Sequence, residues 1–146
     1  MVRTAGLYGL HGSASKGGNF VTRMLDRARL QGSLSVVADQ RLTPTFTADL
    51  AAAIVAAVDR GTTGTLHVTN AGATTWHGFT EAIMELAGLD VPVEPTQTVR
   101  APGAADRPLN GLLRSRSDLP PLRPWRDALA DYLDRAGLRA LAAHES

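Results

Sequence analysis

The stretch Ser35–Leu50, SVVADQRLTPTFTADL, constrains the fold more than any other part of this chain. It reads as a short apolar strand that ends at Asp39 and Gln40, followed by a Thr-Pro-Thr loop and the start of an Ala-rich amphipathic helix. In α/β proteins, ligands bind at such junctions, where the carboxyl end of a strand leads into a helix. We therefore expect the rest of the chain to be arranged around this junction.

Predicted strands and helices alternate along the sequence. The predicted strands are Val2–Tyr8, Leu34–Ala38 and Thr65–Thr69, with a further extended segment at Val91–Pro95. The predicted helix starts are Asn19, Thr47 and Thr75, which are side chains that cap orphan N–H groups, and Pro124, which a first helical turn tolerates. This alternation is typical of an α/β domain.

Apolar residues at helical spacing predict which face of each helix is buried. The predicted buried residues are Val21, Met24, Leu25 and Ala28, then Leu50, Ala53, Ile54, Ala57 and Val58, then Phe79, Ile83 and Leu86, and finally Ala128, Leu129, Tyr132 and Leu133. Gly32 and Gly88 are predicted to end the first and third helices.

The composition is that of a globular protein in a reducing compartment. Of the 146 residues, 44% are apolar and 20% are charged, and the formal net charge of +1 gives no reason to expect nucleic acid as a partner. The absence of cysteine excludes disulfides and thiolate metal sites. No apolar run approaches the roughly twenty residues of a membrane span. We expect a cytoplasmic protein with no membrane partner.

No complete catalytic or cofactor motif is present in these residues. The glycine-rich segment 12–18, GSASKGG, has its lysine before the glycines, so it is not a Walker motif and is predicted to be an ordinary flexible loop. There is no Gly-x-Gly-x-x-Gly after a strand. The histidines are scattered, without the spacing of metal ligands, at positions His11, His67, His77 and His144.

Two features have two interpretations each on physical grounds. Arg107 either pairs with Asp106 at the surface or binds a phosphate, because a guanidinium matches phosphate oxygens bidentately. Asp39 and Gln40 either bind a ligand or cap the turn towards Pro44. Trp76 and the second tryptophan, Trp125, each open a predicted helix, and core packing is the default expectation for both.

Seven motifs in order give the chain a specific resemblance. They are Arg3-Thr4 with Leu7-Tyr8-Gly9, Gly18-Asn19-Phe20-Val21 with Met24-Leu25, Val36-Val37 and Asp39-Gln40 with Pro44-Thr45 and Thr47–Ala51, Gly64-Thr65 with His67 and Thr69-Asn70, Thr75-Trp76 with Phe79, Arg107-Pro108, and Leu122–Arg126. Together they resemble the C-terminal half of the dTDP-4-dehydrorhamnose reductase family, a group of extended short-chain dehydrogenase/reductases. The resemblance runs from the first residues to about Leu133.

The resemblance implies a fold, and it implies that cofactor binding and substrate binding belong to different halves of the enzyme. The fold would be the C-terminal part of a Rossmann-like domain, with an incomplete parallel sheet and a small substrate-binding subdomain. In the family, the N-terminal half carries the glycine-rich NADP(H) loop and a Tyr-x-x-x-Lys pair. Four residues after Tyr8 this chain has Gly12 instead of lysine. We therefore expect NADPH or NADH to serve the parent enzyme, and no cofactor, metal or catalytic residue in this chain alone.

The resemblance also implies which residues bind substrate. Around a nucleotide-sugar would lie Tyr8, Asn19, Asp39, Gln40 and Thr45, with Arg107 approaching the diphosphate. In related enzymes a tryptophan often stands two residues before the Tyr-Gly pair. Here that position is Gly6, so the sugar contact made there is not carried over.

Residues 1–136 are predicted to form this substrate-binding region, and residues 137–146 a C-terminal tail. The predicted role is to bind the nucleotide-sugar in an NADPH-dependent reduction of dTDP-4-dehydrorhamnose. The alternatives are a non-catalytic binding or regulatory module of the same family and a fragment without a function of its own. Unpaired strand edges predict self-association or a missing N-terminal Rossmann half as partner.

Overall fold

The computed structural model describes residues 1–12, 17–99, 102–103, 108–114 and 119–139. Within these residues the helices are α1 Phe20–Gln31, α2 Thr47–Asp59, α3 Trp76–Leu86 and α4 Trp125–Arg135. The strands are β1 Val2–Arg3, β2 Leu7–Tyr8, β3 Leu34–Val37, β4 Arg41–Leu42, β5 Thr45–Phe46, β6 Leu66–His67, β7 Thr74–Thr75, β8 Val93–Thr96 and β9 Asn110–Gly111. No helix in the described ranges is both long and apolar enough to span a bilayer.

The strands pair mostly in parallel and over long sequence separations. Parallel pairs form between β1 and β6, between β2 and β5, and between β3 and β8. Strand β4 lies between β9, which is parallel to it, and β7, which is antiparallel. The predicted α/β class is confirmed.

Helix α1 begins and ends as its sequence predicts. The Asn19 side chain accepts a hydrogen bond from the Thr22 backbone N–H, and the Thr22 hydroxyl accepts one from the Asn19 N–H, which completes a capping box. At the other end, Gly32 adopts a left-handed conformation with φ of 68°. All four predicted apolar residues of this helix are buried.

The predicted strand Val2–Tyr8 is wrong as a single element, because it divides into β1 and β2 at Gly6. Gly6 has φ of +60°, a conformation that side-chain-bearing residues rarely adopt, and its carbonyl accepts a hydrogen bond from the Thr45 N–H. A Cβ atom at Gly6 would lie 2.6 Å from the Thr43 carbonyl oxygen. The break therefore lets β1 and β2 pair with two different strands.

Helix α2 departs from its prediction in two ways. Its N-cap is Phe46, which makes no side-chain capping bond, and Thr47 is the first helical residue. Two residues of the predicted apolar stripe, Ile54 and Val58, are 38% and 72% exposed. The physical reason is that α2 packs on a small apolar cluster, which the narrow stripe of Leu50, Ala53 and Ala57 is wide enough to cover.

An aromatic cluster occupies the centre of the larger core. The Tyr8 ring stacks on Phe46 at a centroid distance of 5.8 Å and meets the edge of Tyr132 at 5.3 Å. Phe79 of α3 approaches Tyr8 at 5.5 Å. These rings join β2, β5, α3 and α4, and offset or edge-to-face pairs of this kind add to the stabilisation from burial alone.

A polar network ties the start of α2 to the segment before α4. Arg123 donates to both carboxylate oxygens of Asp49, at 2.9 and 2.8 Å, and to Asp131 at 2.6 Å. The Asn70 amide donates to Asp49 at 2.7 Å and accepts from the Phe46 N–H at 2.9 Å. The hydrogen bond to Asp49, with the one to Asp131, raises the pKa of Arg123 despite its desolvation.

Removing Asp49 should destabilise the fold strongly. We expect Asp49→Ala to lower the free energy of unfolding by about 2–4 kcal/mol, because Arg123 and Asn70 lose a shared acceptor in a partly buried site. Urea unfolding followed by circular dichroism measures the change. The control is Asp26→Ala, whose surface pair with Arg29 should contribute less than about 1 kcal/mol. Equal losses in the two variants would contradict the central role of Asp49.

Candidate functional site

Two adjoining surface cavities form a groove along the start of α1. Their volumes are about 580 and 470 Å³, and both are lined by Phe20, Arg23 and Trp76. The first cavity extends to the loop after β2, and the second extends to the end of β3 and the segment after β8. We call these two cavities together the groove, the first being its β2 end and the second its β3 end. Each falls within the size range of small-molecule pockets.

Asn19 lies at the β2 end of the groove, where its side chain has structural partners. Its amide donates to the Gly9 carbonyl at 2.8 Å and to the Tyr132 hydroxyl at 2.9 Å, while its Oδ1 caps α1. Gly9 itself sits so close to α2 that a Cβ atom there would lie 2.0 Å from the Thr47 hydroxyl oxygen. Asn19 therefore shapes the wall of the groove as well as lining it.

Tyr8 also lines the β2 end, but its side chain is almost entirely buried, with 2% of the residue exposed. Its hydroxyl has no hydrogen-bond partner in the part of the chain that the structure describes. Burial raises the pKa of Tyr8, and the nearby Asp49 carboxylate raises it further. Tyr8 thus lies at the inner wall of this end of the groove, and its role in substrate binding stays a prediction.

Asp39 and Gln40 converge on one residue at the β3 end. The Thr98 backbone N–H and hydroxyl donate to the two oxygens of Asp39, at 2.9 and 2.8 Å. The Gln40 amide donates to the same Thr98 hydroxyl at 2.7 Å. The backbone N–H of Thr98, followed by its hydroxyl, holds the pKa of Asp39 below its ordinary value. Gln40 and Thr98 line the groove, and Asp39 fixes Thr98 in place.

The two remaining predicted site residues are Thr45 and Arg107. Thr45 is fully buried, and its hydroxyl approaches the Thr43 carbonyl at 3.4 Å. It belongs to β5 and does not line either cavity, and its role in substrate binding stays a prediction. Arg107 lies outside the described residues.

Sequence reasoning missed the middle of the groove. The rings of Phe20 and Trp76 lie 4.6 Å apart at an angle of 48°, and both residues are only half-buried. Trp76 was expected to pack in the core, as the opening tryptophan of a helix usually does. The signal that could have found this ridge is that Phe20 and Trp76 both stand at helix starts, immediately after the caps Asn19 and Thr75.

The groove is lined by few titratable side chains. Among the described residues that line it, the titratable side chains are His11, Arg23 and the buried Tyr8. His77 lies beside Trp76 but is held by the Val93 carbonyl at 2.9 Å and by Glu81 at 3.2 Å. No cluster of three or more metal-ligating side chains occurs in the described ranges. The described lining also offers aromatic surface, two amides, hydroxyls and the Arg23 cation, and these groups suit a polar ligand with planar and anionic parts.

Comparisons with known proteins agree on one family. A family model described as the RmlD substrate binding domain matches residues 1–138. The chain is 41% identical to a probable dTDP-4,6-dihydroxy-2-methyloxan-3-one 4-ketoreductase of Streptomyces antibioticus, over 90% of this chain and 45% of that protein. It is 39% identical to a dTDP-4-dehydrorhamnose reductase of Mycolicibacterium smegmatis, over 90% of this chain and 41% of that protein.

A solved structure gives the same result. The dTDP-4-dehydrorhamnose reductase of Bacillus anthracis, crystallised in complex with NADP, superimposes with a TM-score of 0.82 at 31% identity. The superposition covers 92% of this chain and 47% of that one. The chain therefore spans less than half the length of these relatives.

The contact between Asp39 and Thr98 should depend on pH. Because the pKa of Asp39 is lower in the folded chain than in the unfolded one, the contact is favoured above the unfolded pKa and is lost as the pH falls through the folded pKa. Thr98→Val removes one donor and keeps the backbone N–H, so it should raise the pKa of Asp39 part of the way to its ordinary value.

Carboxyl carbon shifts of Asp39 in a ¹³C NMR pH titration measure this change. The control is Thr96→Val, the same substitution two residues earlier on β8, which should leave the titration unchanged. If the titration curve of Asp39 is the same in Thr98→Val as in the unsubstituted chain, the proposed effect of the Thr98 hydroxyl on the pKa of Asp39 is wrong.

Proposed function

This chain belongs to the RmlD substrate-binding domain family, and we propose that it binds a nucleotide-linked deoxy sugar in the groove. The nucleotide-sugar is a dTDP-4-keto-6-deoxy sugar, and the reaction it undergoes is reduction of the 4-keto group by NADPH, as in dTDP-L-rhamnose formation. The chain supplies the substrate-binding part of that reductase. The proposal extends to this chain what the names of its relatives say of those proteins.

The observation that supports the proposal best is the course of the groove. Asn19 and Gln40, which stand on different elements and were predicted as substrate-binding residues from sequence, line its two ends. The groove follows strand ends, since Gly9 comes after β2 and Gln40 comes after β3, where α/β proteins bind ligands. A ligand lying along it would have to be elongated, as a nucleotide-sugar is.

In this proposal, some of the predicted residues contact the ligand and the others support the residues that do. Gln40 and Asn19 contact the ligand, and Asp39 acts on it through Thr98. Tyr8 and Thr45 support the groove from within the core. Arg107 approaches the diphosphate, as the resemblance implies.

Reduction itself is assigned to groups other than these residues. The strand-to-helix turns described here carry no Gly-x-Gly-x-x-Gly, so they do not fit the pyrophosphate of a dinucleotide, and the sequence has no Tyr-x-x-x-Lys pair. We assign no step of hydride or proton transfer to this chain. NADPH is the cofactor we propose for the complete enzyme.

Substitution of Gln40 tests whether the groove binds the nucleotide. Gln40→Leu should weaken binding of dTDP about three- to tenfold, because a neutral hydrogen bond contributes roughly 0.5–1.5 kcal/mol. Isothermal titration calorimetry with dTDP measures the affinity. The matched control is Gln31→Leu at the exposed end of α1, which should bind like the unsubstituted chain. If the unsubstituted chain binds neither dTDP nor a dTDP-linked sugar, the proposed function is wrong.

A non-catalytic binding or regulatory module of the same family is the second candidate, because the groove offers hydrogen-bonding and aromatic groups for a ligand. Oxidation of NADPH, followed at 340 nm with a dTDP-4-keto sugar, separates chemistry from binding. Binding without turnover fits both candidates for the isolated chain. If adding an N-terminal Rossmann half restores turnover, this chain is the substrate-binding part of an enzyme. If turnover is still absent after that addition, the non-catalytic module is favoured.

We also propose that the chain associates through the β1 edge, either with a second copy or with a Rossmann half. Leu66 and Val68 donate to the carbonyls of Met1 and Arg3, so the backbone polar groups of Val2 face the opposite edge of this two-stranded sheet. Parallel sheets are normally covered on both faces. Here the described residues place α2 on one face, through Leu50, Ala53 and Ala57.

A charge on this edge should reduce self-association. Val2→Lys is expected to shift the chain towards monomer, because charged side chains on an edge strand oppose further pairing. Light scattering coupled to gel filtration, over a range of concentrations, measures the mass. Leu30→Lys, the same change of charge on the exposed face of α1, should leave the mass unchanged. A monomeric unsubstituted chain at every concentration would rule out pairing between copies.

A further inference from the structure

We propose that Arg23 is the phosphate-binding residue at the centre of the groove, an inference that rests on the proposed function. Arg23 lines both cavities, together with Phe20 and Trp76. It stands three residues after Phe20 on α1, and that spacing places the two side chains on the same face of the helix. The cation therefore sits where the β2 end and the β3 end meet.

Several of the arginines that the structure describes are held in ion pairs, and Arg23 is not among them. Ion pairs to carboxylates occupy Arg29, Arg123, Arg126, Arg135 and Arg139. Arg23 is exposed and has no carboxylate within ion-pair distance among the residues that the structure describes. Its guanidinium is available to an anionic ligand without first breaking a pair.

The position of this cation limits the shape of the ligand. Two cavities that meet at a single positive charge fit a molecule with a charged centre and two uncharged ends. A diphosphate that links a nucleoside to a sugar has this form. At the β3 end, Gln40 and Thr98 offer an amide and a hydroxyl that match the polar edge of a base. The ridge of Phe20 and Trp76 offers the aromatic surface on which a planar base can stack.

The chemistry of the guanidinium group predicts how substitutions of Arg23 should change the affinity for dTDP. A guanidinium binds phosphate oxygens through two parallel N–H groups, whereas lysine offers only a point charge. Arg23→Ala should therefore weaken binding of dTDP by about tenfold, as expected for loss of a charge-assisted hydrogen bond at an exposed site. Arg23→Lys should recover part of the affinity. Thymidine, which lacks phosphate, should bind the unsubstituted chain and Arg23→Ala equally.

The experiment uses Trp76 as its reporter. Trp125, the second tryptophan, contacts Phe79 and does not line the groove, so Trp125→Phe leaves Trp76 as the source of indole fluorescence. In that background, quenching of Trp76 is titrated with dTDP and with thymidine for each variant. Arg27→Ala, an exposed arginine of the same helix outside both cavities, is the matched control and should not change either affinity.

The outcomes separate this inference from the function on which it rests. If dTDP binds but Arg23→Ala behaves like Arg27→Ala, or weakens dTDP and thymidine equally, the role of Arg23 is overturned and the proposed function survives. If the unsubstituted chain binds neither ligand, both proposals fall. A thermal melt that is the same for all variants excludes loss of folding as the cause.

Discussion

The Asp49 carboxylate is the constraint on which the arrangement of this chain depends. It lies in the first turn of α2, where the helix dipole favours a negative charge. From there it accepts hydrogen bonds from Arg123 and Asn70, which come from segments far along the sequence. Asp131 extends the network into α4, and its pKa is lowered by the Arg123 guanidinium and then by Arg135. One side chain thereby fixes α2, the turn after β6 and α4 relative to one another.

The groove inherits its shape from this core. Asn70 also accepts a hydrogen bond from the Phe46 N–H, which links β5 to this network. Strand β2 pairs with β5 and is therefore linked to the network as well. Tyr8 of β2 is packed between Phe46 and Tyr132, and Tyr132 in turn receives a hydrogen bond from Asn19 at the groove. A continuous path of contacts thus links Asp49 to the wall of the groove. Tyr8, which the family resemblance implies to be a substrate-binding residue, packs in the core beneath the groove.

Local signals in the sequence were sufficient for the ends of α1 and the start of α3, and long-range contacts decided much of the rest. The caps at Asn19 and Thr75 and the stop at Gly32 depend on neighbours within a few residues, so the sequence reveals them. The burial of Thr45 depends on β2, and the role of Asp39 depends on Thr98, which lies 59 residues away. No local pattern contains such partners. The middle of the groove was missed for the same reason, since Phe20 and Trp76 come together only where α1 packs against α3.

Gly6 limits what the family resemblance implies about sugar specificity in this chain. Related enzymes often have a tryptophan there, but this backbone has φ of +60° and leaves 2.6 Å between a Cβ atom and the Thr43 carbonyl. A tryptophan would require the turn between β1 and β2 to be rebuilt, so its absence is part of the fold and not a simple exchange of side chain. The aromatic surface of this groove instead comes from Phe20 and Trp76, at its centre. In the proposed complex, Phe20 and Trp76 would contact the middle of the ligand, and Asn19 and the backbone around Gly9 would contact the part of it at the β2 end.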